Sequence, residues 1–157
     1  MSYINVITLA TAKNYLRVDD TLTTDDADIT RMINSSLSFI EDYTNVIVYA
    51  RSKEYLFQNC ETRVYDYPIN SLTTPNDAVK VRKSLYSIYT ATASTDEILT
   101  LNVGHVLPAD VPSGIVDVAL EMIDIAYYGQ KEDGANNKRI LSQQSMDILN
   151  KYKRYLL

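Results

Sequence analysis

Between Ile115 and Tyr127 only Asp117, Glu121 and Asp124 interrupt a run of apolar side chains. At 3.6 residues per turn these three acids fall on one narrow stripe, and the remaining girth of the helix is apolar. A helix of that kind lies deep in a large core or is shared with neighbours. The chain has 157 residues, which fits one domain over 1–157 with one small core. Other copies of the chain are therefore expected to cover part of this helix, through Ile115, Val118, Met122, Ile125, Tyr127 and Tyr128.

Two other stretches share the helical period. Leu9, Ala12 and Leu16 lie on one side of a short helix over Thr8–Leu16, which Thr8 is placed to cap. Ile29, Met32, Ile33, Leu37, Ile40 and Tyr43 make one apolar face over Thr24–Thr44. Five of the ten residues from Asp19 to Asp28 are aspartate. A twelve-residue calcium loop needs alternating ligands, a central Gly and a closing Glu. This run has no Gly, and its first Glu is Glu41. Helix entry is the better reading: Thr24 or Asp25 caps, and Asp25, Asp26 and Asp28 face the positive end of the dipole. A last helix is predicted over Ile140–Leu157, with Leu141, Ile148, Leu149, Tyr152 and Leu156 inward.

From Val46 to Val106 the period shortens to two. Val46–Tyr49, Glu54–Phe57, Thr62–Tyr65, Val79–Arg82, Leu85–Thr92 and Ile98–Val103 read as strands. Pro68–Ser71 and Thr74–Asp77 read as turns between them. Short strands with short links favour a meander. The predicted class is α+β: a bundle of about four helices, in a core of 1–45 and 107–157, with an antiparallel β insertion at 46–106.

Charge and composition narrow the function. Net charge is −5. The segment from Lys138 onward carries five basic residues and one acid, +4; the first 137 carry ten basic and nineteen acidic, −9. An acidic body is a poor general binder of nucleic acid. The basic segment, with Lys151, Tyr152, Lys153, Arg154 and Tyr155, suits an acidic surface on a neighbouring copy or partner. Thirteen Tyr and no Trp add stiff, polar-tipped contact area of the kind enriched at protein interfaces. Cys60 is the single cysteine and His105 the single histidine, so neither a disulfide within the chain nor a zinc site can form. No secretory or membrane-spanning segment is evident, and a soluble protein made in a reducing cytoplasm is expected.

The remaining candidate chemistry is thin. Asp117, Glu121 and Asp124 share a face and could hold a divalent metal in a hydrolase, or could simply be the wet strip of their helix. His105 lacks a nucleophile and an orienting acid in any recognisable motif, and reads as a loop residue. Lys80, Arg82 and Lys83 form a small basic cluster. It suits either a solvated strand face or, together with the C-terminal Lys and Arg residues, a DNA-packaging accessory protein.

The order of the helical segments resembles the head–tail connector (adaptor) proteins of tailed bacteriophages, in their longer form with a β-rich insertion. The segments that carry it are TLATAKNYLRVDD, DADITRMINSSLSFIEDYTN, DVPSGIVDVALEMIDIAYYGQKE and SMDILNKYKRYL. The family pattern L-x-x-A-K-x-x-L-R-V-D is met by Leu9, Ala12, Lys13, Leu16, Arg17, Val18 and Asp19. Ile40, Glu41, Tyr43 and Thr44 match the close of its second helix. Pro112, Ile115 or Val116, Ala119, Tyr128 and Glu132 follow the later helix, with Lys131 where Arg is usual. Ile148, Leu149, Tyr152 and Arg154 approximate its closing motif.

The resemblance covers the helical parts and is weak across Val46–Val106. It implies a virion structural protein without enzymatic activity or cofactor, assembled in the host cytoplasm into a ring of twelve copies in the particle neck. It further implies portal protein on one side of the ring, the next neck or tail protein on the other, and DNA passing through without sequence-specific binding. No membrane is involved.

Overall fold

The computed structural model describes residues 2–57, 61–74, 79–82, 86–90, 97–131 and 140–153. Two helices open the chain, the single turn α1 (Tyr3–Val6) and α2 (Leu9–Leu16). Only α2 was legible beforehand. Thr8 caps it as expected, its Oγ1 accepting from the Thr11 N–H at 3.1 Å. The long helix α3 (Asp26–Thr44) ends at Asn45, whose left-handed φ of 58° closes the last turn. Ile29, Met32, Ile33, Leu37 and Ile40 on α3 are buried, as their spacing requires.

Helix α4 (Ser113–Lys131) is the centre of the bundle. It packs on α2, on α3 and on α5 (Gln143–Tyr152). Ile115, Val118, Ala119 and Ile123 have no solvent exposure, and Leu120 and Tyr127 keep less than a tenth. This corrects the premise drawn from the sequence. The chain's own helices shelter most of the apolar girth of α4, because three of them converge on it from different sides. Neighbouring copies are not needed to bury Ile115, Val118 or Tyr127.

The β region holds six strands: β1 (Arg51–Phe57), β2 (Glu61–Val64), β3 (Ile69–Thr74), β4 (Val79–Arg82), β5 (Ser87–Thr90) and β6 (Glu97–Val103). They form two antiparallel sheets ordered β1-β6-β3 and β2-β5-β4. The meander expectation fails, since β6 returns to lie between β1 and β3. Leu99, Leu101 and Val103 of β6 are fully buried, so the most apolar strand takes the centre. The polar strands, with Lys53 and Glu54 on β1 and Ser71 and Thr73 on β3, take the edges. Two further expectations fail here. Ile69–Ser71 belong to strand β3, not to a turn, and Val46–Tyr49 make only an isolated parallel bridge, Val46 with Tyr67. The Thr74–Asp77 turn falls largely outside the described residues.

That bridge segment joins the two cores. Val46 and Val48 enter the helical core, while Ile47 between them enters the β core with Val64, Tyr89, Leu99, Leu101 and Val103. Alternate side chains of an extended stretch point opposite ways, so three residues serve two cores. The architecture is α+β: α2 to α5 form a four-helix bundle, and the strands lie between α3 and α4 in sequence.

Candidate functional site

Among the described residues no catalytic constellation converges. Among the described residues no three His, Cys, Asp or Glu side chains are grouped to hold a metal ion. Within the acidic stripe of α4, Glu121 has a structural task. Its carboxylate accepts the Ser142 N–H at 2.7 Å, the Ser142 hydroxyl at 3.0 Å and the Ser145 hydroxyl. Ser142 also caps α5, accepting from the Ser145 N–H at 3.2 Å. Burial pushes the Glu121 carboxyl up, but the Ser145 and Ser142 donors outweigh it and hold the group below the ordinary glutamate value. Glu121 thereby fastens α5 to α4. The cue in the sequence was a serine ahead of a helical period, but nothing local linked it to Glu121.

The aspartate run is also tied down, by different bonds from those expected. Neither Thr24 nor Asp25 caps α3. Asp25 has helical backbone angles, and its side chain makes no cap hydrogen bond. Its Oδ2 instead accepts from the Tyr127 hydroxyl at 2.6 Å. The buried Lys13 ammonium pairs with Asp26 at 2.6 Å and donates to the carbonyls of Leu22 at 2.7 Å and Asp20 at 3.2 Å. Asp26 and Asp28 do stand in the first turn of α3. Residues 19–25 fold as a loop over one lysine and lead into the helix that holds Asp26 and Asp28.

His105 follows β6 and is half-buried, its backbone N–H donating to the Ile47 carbonyl at 3.2 Å. Burial lowers its pKa, with Asp110 opposing. Among the described residues no nucleophilic side chain is hydrogen-bonded to it. Cys60 lies outside the described residues.

The surface candidates divide into three groups. On α4, Met122, Ile125 and Tyr128 are partly exposed, unlike the buried Ile115, Val118 and Tyr127. At the end of α5, Lys151 is exposed, Tyr152 packs at the margin of the helical core, and the Lys153 ammonium lies 4.2 Å from the centre of the Tyr43 ring. Arg154 and Tyr155 lie outside the described residues. In the β region, Lys80 and Arg82 sit on the edge strand β4, opposite Tyr89 and Ser87 of β5; Lys83 lies outside the described residues.

Several exposed apolar side chains went unnoticed in the sequence. Leu56 and Ile98 face each other across β1 and β6, 70% and 53% exposed. Phe39 stands out from α3, stacked on Tyr43 at 6.1 Å. The cue for Leu56 was alternation: Tyr55 packs on the β core, so its neighbour must face away.

No family model and no curated protein matches the sequence. Solved structures match its fold over almost the whole chain. A chain in the neck of an empty gene transfer agent (GTA) particle, computed with C6 symmetry, has a TM-score of 0.76. The match covers 97% of this chain and 91% of that one, at 12% identity. The fold is the one seen in that neck chain. The same fold recurs in a chain of the native GTA virion, at TM-score 0.75 and 12% identity over 100% of this chain and 94% of that one. It recurs again in the neck of the native particle computed with C12 symmetry, at TM-score 0.71 and 12% identity over 97% and 91%. At 12% identity the likeness is one of fold. Among the described residues, no helix is long and apolar enough to cross a membrane.

Proposed function

We propose that this chain is a structural protein of the neck of a tailed, phage-like particle: a head–tail connector that assembles as a ring. The portal lies on one side of the ring, the next neck or tail protein on the other, and the DNA channel runs through it. One observation carries the reading, the match of 97% of the chain to chains of GTA necks computed with C6 and C12 symmetry. A closed ring uses heterologous contacts, in which different surfaces of one copy meet. The charge fits a conduit. A body of −9 over the first 137 residues repels the polyanion that passes, so DNA is not trapped on the wall. The protein acts by position and shape, and no enzymatic step is assigned to it.

The test is location. Particles imaged by cryo-electron microscopy are expected to show this chain as a ring between portal and tail. Particles that lack the chain, or a purified chain that remains single at high concentration with portal present, would overturn the proposal. Binding to duplex DNA that falls steeply with salt, without ring formation, would favour a packaging accessory built on Lys80, Arg82 and Lys83 instead.

A further inference from the structure

We infer that His105 is an acid-sensitive latch on the link between β6 and α4. Neutral, it holds the link in place; protonated, it frees residues 105–110 to move while sheet and bundle stay folded. The link runs between two firm anchors. At its start, Leu101 and Val103 are fully buried, and the Gly104 N–H donates to the Pro68 carbonyl at 2.8 Å. The Gly104 carbonyl accepts from the Asn70 side-chain amide at 2.7 Å, and the His105 N–H donates to the Ile47 carbonyl at 3.2 Å. At its end, Val111 re-enters the helical core. Between the anchors Val106, Leu107, Ala109 and Asp110 are exposed, and only His105 and Pro108 are partly covered. The hydrogen bonds of the link are local. The Leu107 N–H donates to Asp110 Oδ2 at 3.3 Å, and the Asp110 N–H donates to the Leu107 carbonyl at 3.0 Å. Apart from α1, which packs on the turn Pro108–Asp110, the imidazole is the chief anchor of a stretch with little else to hold it.

The anchor tolerates no charge. Nε2 of His105 is buried and has no hydrogen-bond partner among the described residues. A neutral imidazole accommodates this with Nε2 as a bare acceptor and the hydrogen on Nδ1. In the cation both nitrogens carry hydrogens, and a buried N–H without an acceptor is costly, the more so when charged. The surrounding elements bring little compensation. Tyr3 of α1 gives its hydroxyl to Glu41, which is paired with Arg51, and Arg51 lies over the Tyr49 ring. Tyr67 flanks Ile47 on the side away from His105. Among the described residues only the Asp110 charge favours the imidazolium, and burial outweighs it, so the pKa lies below the ordinary 6.5. The stability of the closed link is therefore complete above 6.5 and is lost as pH falls through the lower folded value. Asp110 already accepts the Leu107 N–H. A protonated ring reaches that carboxylate, or water, by movement of the link that carries them both.

The chain has a single histidine, so its ring C–H resonance in a proton NMR titration reports this site alone. The midpoint is expected below 6.5. Hydrogen exchange of the full chain, corrected for the intrinsic rate, should show protection over residues 105–111 lost between about pH 7.5 and about pH 5.5. Protection over residues 29–40 of α3 and 143–152 of α5 should hold in the same window. His105→Gln, which takes up no proton there, should abolish the loss. Asp110→Asn supplies a second variant should the first fold poorly. It removes the one attracting carboxylate, so the resonance midpoint and the loss of protection should move to lower pH together. Four results would each overturn the latch: a midpoint at or above 6.5, titration without loss of protection, the same loss in His105→Gln, or no movement in Asp110→Asn. None of them bears on the neck reading, because every measurement is made on the isolated chain.

Discussion

The carboxylate of Glu41 grips both terminal nitrogens of Arg51, with Nη1 to Oε1 at 3.1 Å and Nη2 to Oε2 at 2.8 Å. Glu41 is on α3 and Arg51 opens β1, so the pair joins the bundle to the sheet. The same carboxylate accepts the Tyr3 hydroxyl at 2.6 Å and the Val48 N–H at 2.7 Å. Glu41 is only 4% exposed. Removing one partner of such a pair leaves the other charge half-buried and unmatched. Glu41→Ala should cost about 3–5 kcal/mol in urea unfolding. Glu41→Gln keeps two polar atoms in place and should cost less, about 1–3 kcal/mol.

Tyr3 reports on the same carboxylate. Burial and then the bond to Glu41 push its phenol from 10.0 up to about 12. The folded state therefore holds the proton more tightly than the unfolded state. The stability this contributes is complete below pH 10 and is lost as pH rises towards about 12. Unfolding midpoints measured from pH 9 upward should fall across that window. Tyr3→Phe should flatten part of the fall; Tyr55, raised by burial and by Asp66, supplies more of it.

Lys13 is 3% exposed; its ammonium donates to two carbonyls and forms an ion pair with Asp26. Lys13→Met should lose about 3 kcal/mol or more, because Asp26 loses its cation while two carbonyls lose their donor. Hydrogen exchange over residues 19–24 should quicken in that variant. Unchanged exchange there would mean that the aspartate loop holds itself.

Glu121 gives the acid-side counterpart. Its folded pKa lies below the ordinary 4.5, so its contribution is present above that value and fades as pH falls through the lower folded value. Glu121→Gln should loosen α5 at neutral pH, seen as faster exchange over residues 143–152 with α3 unchanged.

Two glycines should respond in opposite ways. Gly104 has φ +103°, and a Cβ there would stand 2.1 Å from the Tyr49 carbonyl oxygen. Gly104→Ala should cost about 2–4 kcal/mol. Gly129 lies in α4 with nothing within 4 Å of an added Cβ. Gly129→Ala should raise stability by about 0.5–1 kcal/mol. Thermal melts of the two variants decide both.

What could be read from the sequence was local. The apolar stripes of α2, α3, α4 and α5, the Thr8 cap and most of the short strands follow from spacing, because a side chain's direction is set by the backbone period. The order of the helical motifs pointed to connector proteins, and the solved structures that share the fold are chains of gene transfer agent particles. Tertiary structure decided what lies across space. β6 took the middle of its sheet because Leu99, Leu101 and Val103 needed cover on both flanks. Asp25 met Tyr127, and Glu121 met Ser142, across distances in sequence that no period encodes. The apolar girth of α4 was correctly read, but its cover was not. Whether a greasy helix faces its own bundle or a sister copy depends on how many elements converge on it, and convergence is a property of packing that composition and spacing do not contain.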